Sequence, residues 1–144
     1  MKYLVALTLC LFSFNILAND STVKQIGDLK IYCSTDDKAI KSCSMFAYGL
    51  IIERKNDLFY IDTYHAHAPR FLISLQIDDN EVLKGFPWLN RPNREAIAQM
   101  KTGKNIKMTV QDGLTGTSTV SVSLEGFNAT LDELIKSYDE YVGK

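Results

Sequence analysis

The chain has 144 residues, with 16 lysines and arginines against 17 aspartates and glutamates, so its formal net charge at pH 7 is −1. The two signs are interspersed along the chain, which argues against the basic patch of a nucleic-acid-binding domain. The same balance argues against strong electrostatic attraction to an anionic membrane. A chain of this length is expected to form one domain with its own core.

The first 18 residues have the layout of a cleaved secretion signal. Lys2 precedes an apolar run over residues 3–14, and a further apolar stretch ends at Ala18. The run is shorter than the about 20 apolar residues that a membrane helix needs. We predict cleavage after Ala18, so that residues 19–144 form one exported domain with no membrane span. Cys10 follows a leucine where a lipoprotein signal requires a small residue, and we predict no lipid anchor.

Two cysteines remain in the mature domain, Cys33 and Cys43, separated by the short polar segment STDDKAIKS. An even pair in an exported domain predicts one disulfide bond and an oxidising compartment. In the chain-entropy model, closing a loop of this size stabilises the fold by about 2–3 kcal/mol. A metal site on this pair would need further His or Cys ligands, and the neighbouring sequence supplies none.

Alternation of apolar and polar residues predicts a series of short strands. The predicted strands are residues 28–33, 43–54, 57–64, 70–78, 81–86, 105–111 and 118–127. A turn is predicted at residues 55–57 between the second and third of them. In the last strand, Val120, Val122 and Leu124 are expected on one face.

A short helix is predicted between the strands of the second half. Asn93 is placed to cap this helix, and Gly103 stands at the usual stop position. Ala96, Ile97 and Met100 are expected to face inward.

The C-terminal segment has the clearest helical pattern. Apolar residues recur with a period of 3.6 after Phe127, at Leu131, Leu134, Ile135, Tyr138, Tyr141 and Val142. Asn128 or Thr130 is predicted as the N-cap, and Glu133 follows Thr130 with the spacing of a capping box. We expect the stripe to pack on the sheet, because exported monomers rarely leave so large an apolar surface exposed.

These elements predict a mainly β fold. About seven short strands, with turn signals every 8–12 residues or so, favour an antiparallel β-sandwich or a partly closed barrel. The short helix and the C-terminal amphipathic helix are expected to pack on it.

Several segments carry a likeness to a known family. They are GDLKIYC with the second cysteine in SCSMF, FLISLQID, MKTGKNIKMTVQD and VSVSLEGFNATLDEL. Together they resemble the invasion-associated locus B family of exported bacterial proteins, over about residues 27 to 134. The most specific piece is the turn at Ser123, Leu124, Gly126 and Phe127, and the second marker is LQID at residues 75–78.

This chain departs from the family pattern at two places. Typical members have a tryptophan where this chain has Leu29, and a second cysteine pair where this chain has VLKGFPWLNRPN. The resemblance implies a small β-rich domain, periplasmic or secreted, of a Gram-negative bacterium, with a role in host interaction. It implies no catalytic residue.

The segment IDTYHAHAPRF holds both histidines, His65 and His67. In a strand these side chains would share a face, with Cα atoms about 6.6 Å apart, so both rings could bind one metal ion. A catalytic zinc site needs three protein ligands, and the third would have to come from a distant segment. The alternative is a pair of solvated side chains at the end of a strand, which Pro69 favours. A pH-sensing role through imidazole protonation is a further alternative.

The segment FPWLNRPNR is a candidate contact surface. Its aromatic, leucine and arginine side chains lie between prolines that stiffen the loop, and aromatic and arginine residues are favoured at interface hot spots. The alternative is that the tryptophan packs on the sheet edge and the arginines are solvated. The candidate binding residues are Phe86, Trp88, Leu89, Arg91 and Arg94.

The sequence contains no G-x-S-x-G, H-E-x-x-H or P-loop motif, and we predict no enzyme activity and no cofactor.

Three functions are compatible with these features. The first hypothesis is a non-enzymatic interaction domain with a protein partner, in the periplasm or outside the cell. The second is an inhibitor or immunity protein that blocks a cell-wall hydrolase or toxin with a rigid loop. The third is a metal-binding protein that uses His65 and His67.

Overall fold

The described residues form nine strands and two helices. The computed structural model describes residues 21–26, 28–63, 71–85, 93–112, 114 and 116–144. The elements in chain order are β1 (Ser21–Ile26), β2 (Leu29–Thr35), β3 (Lys41–Ala47), β4 (Leu50–Lys55), β5 (Leu58–Thr63), β6 (Phe71–Ile77), β7 (Leu83–Gly85), α1 (Arg94–Thr102), β8 (Asn105–Asp112), β9 (Gly116–Ser123) and α2 (Phe127–Val142). Neither described helix is long and apolar enough to cross a membrane.

The strands form two antiparallel sheets. β1 to β5 follow one another as a meander in a five-stranded sheet, and the four-stranded sheet has the order β7-β6-β8-β9. Every pair is antiparallel. Of the two predicted architectures, the sandwich with packed helices is confirmed, because the described strands form two sheets instead of one closed sheet.

The core of the five-stranded sheet is one row of side chains that crosses four strands. Ile31, Met45, Ile52 and Ile61 stand opposite one another in β2 to β5, and none is more than 1% exposed. Helix α2 lies against β2, β3 and β4 on this side. The predicted apolar stripe of α2 is confirmed, since its buried residues include Phe127, Leu131, Leu134 and Tyr138.

Helix α1 joins the two sheets. It contacts β5 of the first sheet, β6 of the second, and α2. Its residues Ala96, Ile97 and Met100 are buried, as the sequence predicts. They belong to the same core cluster as the inward side chains of β6 and β8, namely Ile73, Leu75, Ile77 and Ile106. One continuous core therefore holds both sheets and both helices.

The predicted single strand over residues 43–54 is wrong, because the chain turns at Tyr48 and Gly49. Their φ angles are 57° and 73°, the left-handed values that a tight type I′ hairpin turn requires at both central residues. A Cβ on Gly49 would lie 3.3 Å from Cε of Met108 in β8, so glycine also allows this hairpin to approach the second sheet.

Tyr48 connects this hairpin to the start of α2. Its hydroxyl donates to the carbonyl of Glu125 at 3.2 Å and lies 3.3 Å from Oγ1 of Thr130. Its ring meets the ring of Phe127 edge to face, with 5.5 Å between centroids. These contacts explain how a tyrosine, which rarely adopts positive φ, is held in the turn.

The predicted caps of α2 are wrong. The N-cap is Gly126 with φ 76°, and no side chain caps the helix. Asn128 Nδ2 donates to the carbonyl of Lys101 at 3.0 Å and so ties α2 to the last turn of α1. Thr130 Oγ1 donates to the carbonyl of Gly126 at 3.1 Å. Positive φ at Gly126, which glycine adopts without strain, lets the chain turn from the end of β9 into the helix.

The two ends of α1 lie at the predicted residues, but they are not capped in the predicted way. Asn93 occupies the N-cap position but makes no side-chain capping bond, and its N–H donates to the carbonyl of Phe59 at 2.8 Å. Gly103 ends the helix in an extended conformation. Glycine is required there because a Cβ would collide with Cγ2 of Ile77.

The packing of α2 predicts a large effect for one truncation. Leu134 is fully buried, so Leu134→Ala should lower the free energy of unfolding by about 2–5 kcal/mol. Urea denaturation measures this. The matched control is Lys136→Ala on the exposed side of the same helix, which should change stability by less than about 0.5 kcal/mol. Equal effects of the two substitutions would contradict the observed orientation of α2.

Candidate interaction surface

The face of the five-stranded sheet opposite α2 carries large apolar side chains that remain exposed. Val23 is 61% exposed, Tyr32 48% and Phe46 59%. Val23 stands directly opposite Tyr32, and Phe46 lies two residues beyond Ser44, which is the partner of Tyr32. Side chains in such direct and diagonal positions are near neighbours on a sheet. Val23, Tyr32 and Phe46 therefore form a contiguous surface, called here the outer apolar patch.

Polar side chains border the outer apolar patch. Lys30 is exposed on the same face of β2, and the strand register places half-buried Ser44 opposite Tyr32 and half-buried Glu53 opposite Ser44. An apolar centre with a polar border is the usual layout of a protein interface. The border carries both charge signs, so the patch favours a partner that offers apolar surface rather than one of strong opposite charge.

The sequence alone does not reveal the outer apolar patch. Tyr32 and Phe46 lie in segments that alternate as strands, and alternation assigns them only to the face opposite the core. Single exposed apolar residues are common on protein surfaces. What distinguishes these three is that strand pairing brings them together from β1, β2 and β3.

The binding loop predicted from the sequence lies mostly outside the described residues. Phe86, Trp88, Leu89 and Arg91 fall within residues 86–92, which lie outside the described part of the chain. Arg94 is described and is an exposed residue at the first position of α1. The loop therefore stays a prediction, separate from the outer apolar patch.

The predicted metal pair also lies outside the described residues. His65 and His67 follow β5, within the gap at residues 64–70. In the part of the chain that the structure describes, no group of three or more His, Cys, Asp or Glu side chains is placed to hold a metal ion. The histidine hypothesis is thus neither supported nor contradicted.

The predicted disulfide bond is confirmed, and it lies on the covered side of the sheet. Cys33 and Cys43 stand directly opposite each other in β2 and β3, with Cα atoms 4.0 Å apart. They are 4% and 0% exposed, and the carbonyl of Ser137 in α2 lies 4.0 Å from Sγ of Cys33. Disulfide bonds form and persist mainly in oxidising compartments, and this bond is consistent with such a location for the protein. Because α2 covers it, this bond stabilises the sheet beneath the helix.

Loss of the disulfide should lower stability without abolishing the fold. The double variant Cys33→Ala, Cys43→Ala should lose about 2–3 kcal/mol of unfolding free energy, because its unfolded chain is no longer constrained by a closed loop. Thermal and urea unfolding of the variant and of the oxidised parent measure the difference. The parent, reduced in denaturant and then refolded with reductant present, should match the variant. An unchanged melting temperature in both would show that the disulfide does not contribute as proposed.

Cations and aromatic rings hold the end of α2 over the β4–β5 turn. The guanidinium of Arg54 lies 5.0 Å from the ring centroid of Phe59 and 5.3 Å from that of Tyr138. Asp57 pairs with Arg54 at 3.4 Å and also accepts a hydrogen bond from Nζ of Lys144. That bond lowers the pKa of Asp57 and raises the pKa of Lys144. The cluster fixes the C-terminus against the five-stranded sheet.

Asp78, the last residue of the LQID segment, has a structural role. One carboxylate oxygen accepts from the N–H of Lys104 and the other from the N–H of Asn105, both at 2.9 Å. These two backbone bonds hold the pKa of Asp78 below its usual range. The carboxylate thereby joins the end of β6 to the link between α1 and β8.

The Asp78 carboxylate predicts a stability change at low pH. Because its pKa is lower in the folded protein, its contribution is present above the unfolded pKa of about 3.9 and is lost as pH falls through the folded pKa. In Asp78→Asn, the urea midpoint should therefore be lower at neutral pH and should fall less below pH 4. Asp79→Asn, a neighbouring exposed carboxylate, is the control. The same acid dependence in Asp78→Asn and the parent would contradict this role.

Comparison with known proteins identifies no relative, since no family model, curated protein or solved structure matches this chain.

Proposed function

We propose that this protein is an exported, non-enzymatic interaction domain that binds a protein partner in the periplasm of a Gram-negative bacterium or outside the cell. The observation that carries the proposal is the outer apolar patch, in which three large apolar side chains about half exposed or more meet on one sheet face. Contiguous apolar surface bordered by polar residues is characteristic of sites where another protein binds.

The disulfide bond supports the location part of the proposal. A buried cystine persists in oxidising compartments and is rare in the reducing cytosol. The secretion signal predicted at residues 1–18 is consistent with export. The resemblance to invasion-associated proteins adds the expectation that the partner is a protein that takes part in interaction with a host.

The rigidity of the five-stranded sheet supports binding through its outer face. The other face of β2, β3 and β4 is covered by α2, and a disulfide bond joins β2 to β3. Tyr32 and Phe46 project from these same two strands. A preformed surface loses little conformational freedom when a partner binds, which favours affinity.

Site-specific photo-cross-linking in the producing bacterium tests the proposal. A cross-linking amino acid at position 32 or position 46 should capture the same single protein. Position 136, exposed on α2 on the opposite side of the sheet, is the control and should capture nothing in common with them. If positions 32 and 46 give no adduct, or the same adducts as position 136, the proposed contact surface is wrong.

The captured partner then allows affinity to be measured. Tyr32→Ser and Phe46→Ser should each weaken binding at least about tenfold, because truncating an interface hot spot costs about 2 kcal/mol or more and about 1.4 kcal/mol is a factor of ten. Lys136→Ser should leave the affinity unchanged. If the partner is a cell-wall hydrolase or a toxin and this protein suppresses its activity, the inhibitor hypothesis replaces that of a host-interaction domain.

A further inference from the structure

Strand β9 forms an open edge of the four-stranded sheet. It lies at the end of the order β7-β6-β8-β9, and no described strand pairs with its outer side. Its eight residues, GTSTVSVS, include no charge and no proline, and all except Val122 are exposed. The segment is rich in threonine and valine, which favour extended backbone.

The hydrogen-bonding direction of β9 follows from bonds at its end. Leu124 donates to the carbonyl of Lys104 at 2.8 Å, and this pair continues the β8–β9 register beyond Asn105 and Ser123. In an antiparallel ladder alternate residue pairs exchange hydrogen bonds. The even-numbered residues of β9 therefore bond to β8. The N–H and C=O groups that point outward belong to Thr117, Thr119, Ser121 and Ser123.

A second bond agrees with this assignment. The carbonyl of Asn105 accepts from the N–H of Asp78 at 3.0 Å, so Asn105 bonds toward β6. Its partner in β9, Ser123, is consequently in a pair that exchanges no bonds with β8. Hydrogen bonds on both sides of β8 therefore agree that four N–H groups and four C=O groups of β9 point outward.

Protein edges are usually protected against pairing with other chains by charge, proline, bulges or short length. The opposite edge of the same sheet, β7, has only three residues. The edge strand β1 of the other sheet carries Lys24. β9 has neither form of protection along its eight residues.

We propose that β9 pairs antiparallel with β9 of a second copy of this chain, with the two-fold axis at Val120. In this register Thr119 faces Ser121 of the second copy, and Thr117 faces Ser123 of the second copy. All four outward residues of each chain then lie in hydrogen-bonded pairs. Moving the axis by one residue leaves at least one of them without a partner. The two four-stranded sheets become one sheet of eight strands.

The choice of a second copy rests on self-complementarity. A two-fold interface brings the central residue against itself, so a charged residue there would repel its own copy. β9 meets this condition because it carries no charge. Val120 is 52% exposed although it shares the inward face with Leu75 and Met108, which stand in line with it across the sheet. Self-pairing extends this apolar row across the axis and covers Val120.

Sedimentation velocity of the mature protein over about a hundredfold range of concentration tests the proposal. The mass should rise with concentration from that of a monomer to that of a dimer. Val120→Lys should raise the dimer dissociation constant at least about tenfold, because two lysines would meet at the axis. Val23→Lys, the same change at an exposed position on β1, should leave the dimer intact. A parent that is monomeric throughout, or a dimer lost only in Val23→Lys, would overturn the proposal.

A second variant removes the outward bonds themselves. Ser121→Pro deletes an outward N–H while leaving the bonds between β8 and β9 in place, and edge strands tolerate proline on that side. It should abolish dimerisation with little change in melting temperature. A Ser121→Pro protein that remains dimeric would show that association uses another surface.

Hydrogen exchange of the parent gives a result that does not depend on any variant. The amides of Thr119 and Ser121 should be protected at high concentration and should exchange faster on dilution, whereas the amide of Val122 should be protected at both. Protection of Thr119 and Ser121 in a monomer would mean that the chain's own residues cover the edge, and this would overturn the proposal. Because β9 and the outer apolar patch lie on different sheets, failure here leaves the proposed function untouched.

Discussion

The packing of α2 on Ile31, Met45 and Ile52 of the five-stranded sheet is the interaction on which the rest of the structure depends. A five-stranded meander of consecutive hairpins has two faces, and it is stable only if one of them is removed from water. Helix α2 covers these residues of β2, β3 and β4 with fully buried side chains such as Leu131 and Leu134, each contributing about 1.5–3 kcal/mol. The contacts of α2 with α1, and of α1 with β5 and β6, then connect the second sheet to the same core.

Covering one face determines what the other face can do. The strand period of two places the disulfide bond, Ile31 and Met45 beneath α2, and it places Tyr32 and Phe46 on the opposite side. The disulfide therefore stabilises the strands that present the outer apolar patch without being exposed itself. Stability and the proposed binding thus use opposite faces of the same strands and do not compete for the same side chains.

The two proposed contact surfaces lie on different sheets and share no residue. Pairing of β9 would give an assembly with two copies of the outer apolar patch. A partner that is itself repeated, as on a cell surface, would then bind through both copies with an avidity above that of a single contact. The geometry of the dimer would decide which spacing of partners it can bridge.

The sequence by itself determined the local pattern, and the tertiary structure decided how the pieces meet. Alternation identified β2, β5, β6 and β8, the 3.6-residue period identified α2, and the cysteine count identified the disulfide, because each depends on the chemistry of neighbouring residues. The turn at Tyr48 was missed because tyrosine favours strands, and its positive φ is held by distant contacts with Glu125 and Phe127. The caps of α2 were wrong because Asn128 bonds to α1, which local sequence does not place nearby. The outer apolar patch and the open edge of β9 likewise follow from strand order, which local sequence does not determine. Strand pairing brings Val23, Tyr32 and Phe46 together from three strands. It also places β9 at the end of its sheet, where no described strand pairs with its outer side.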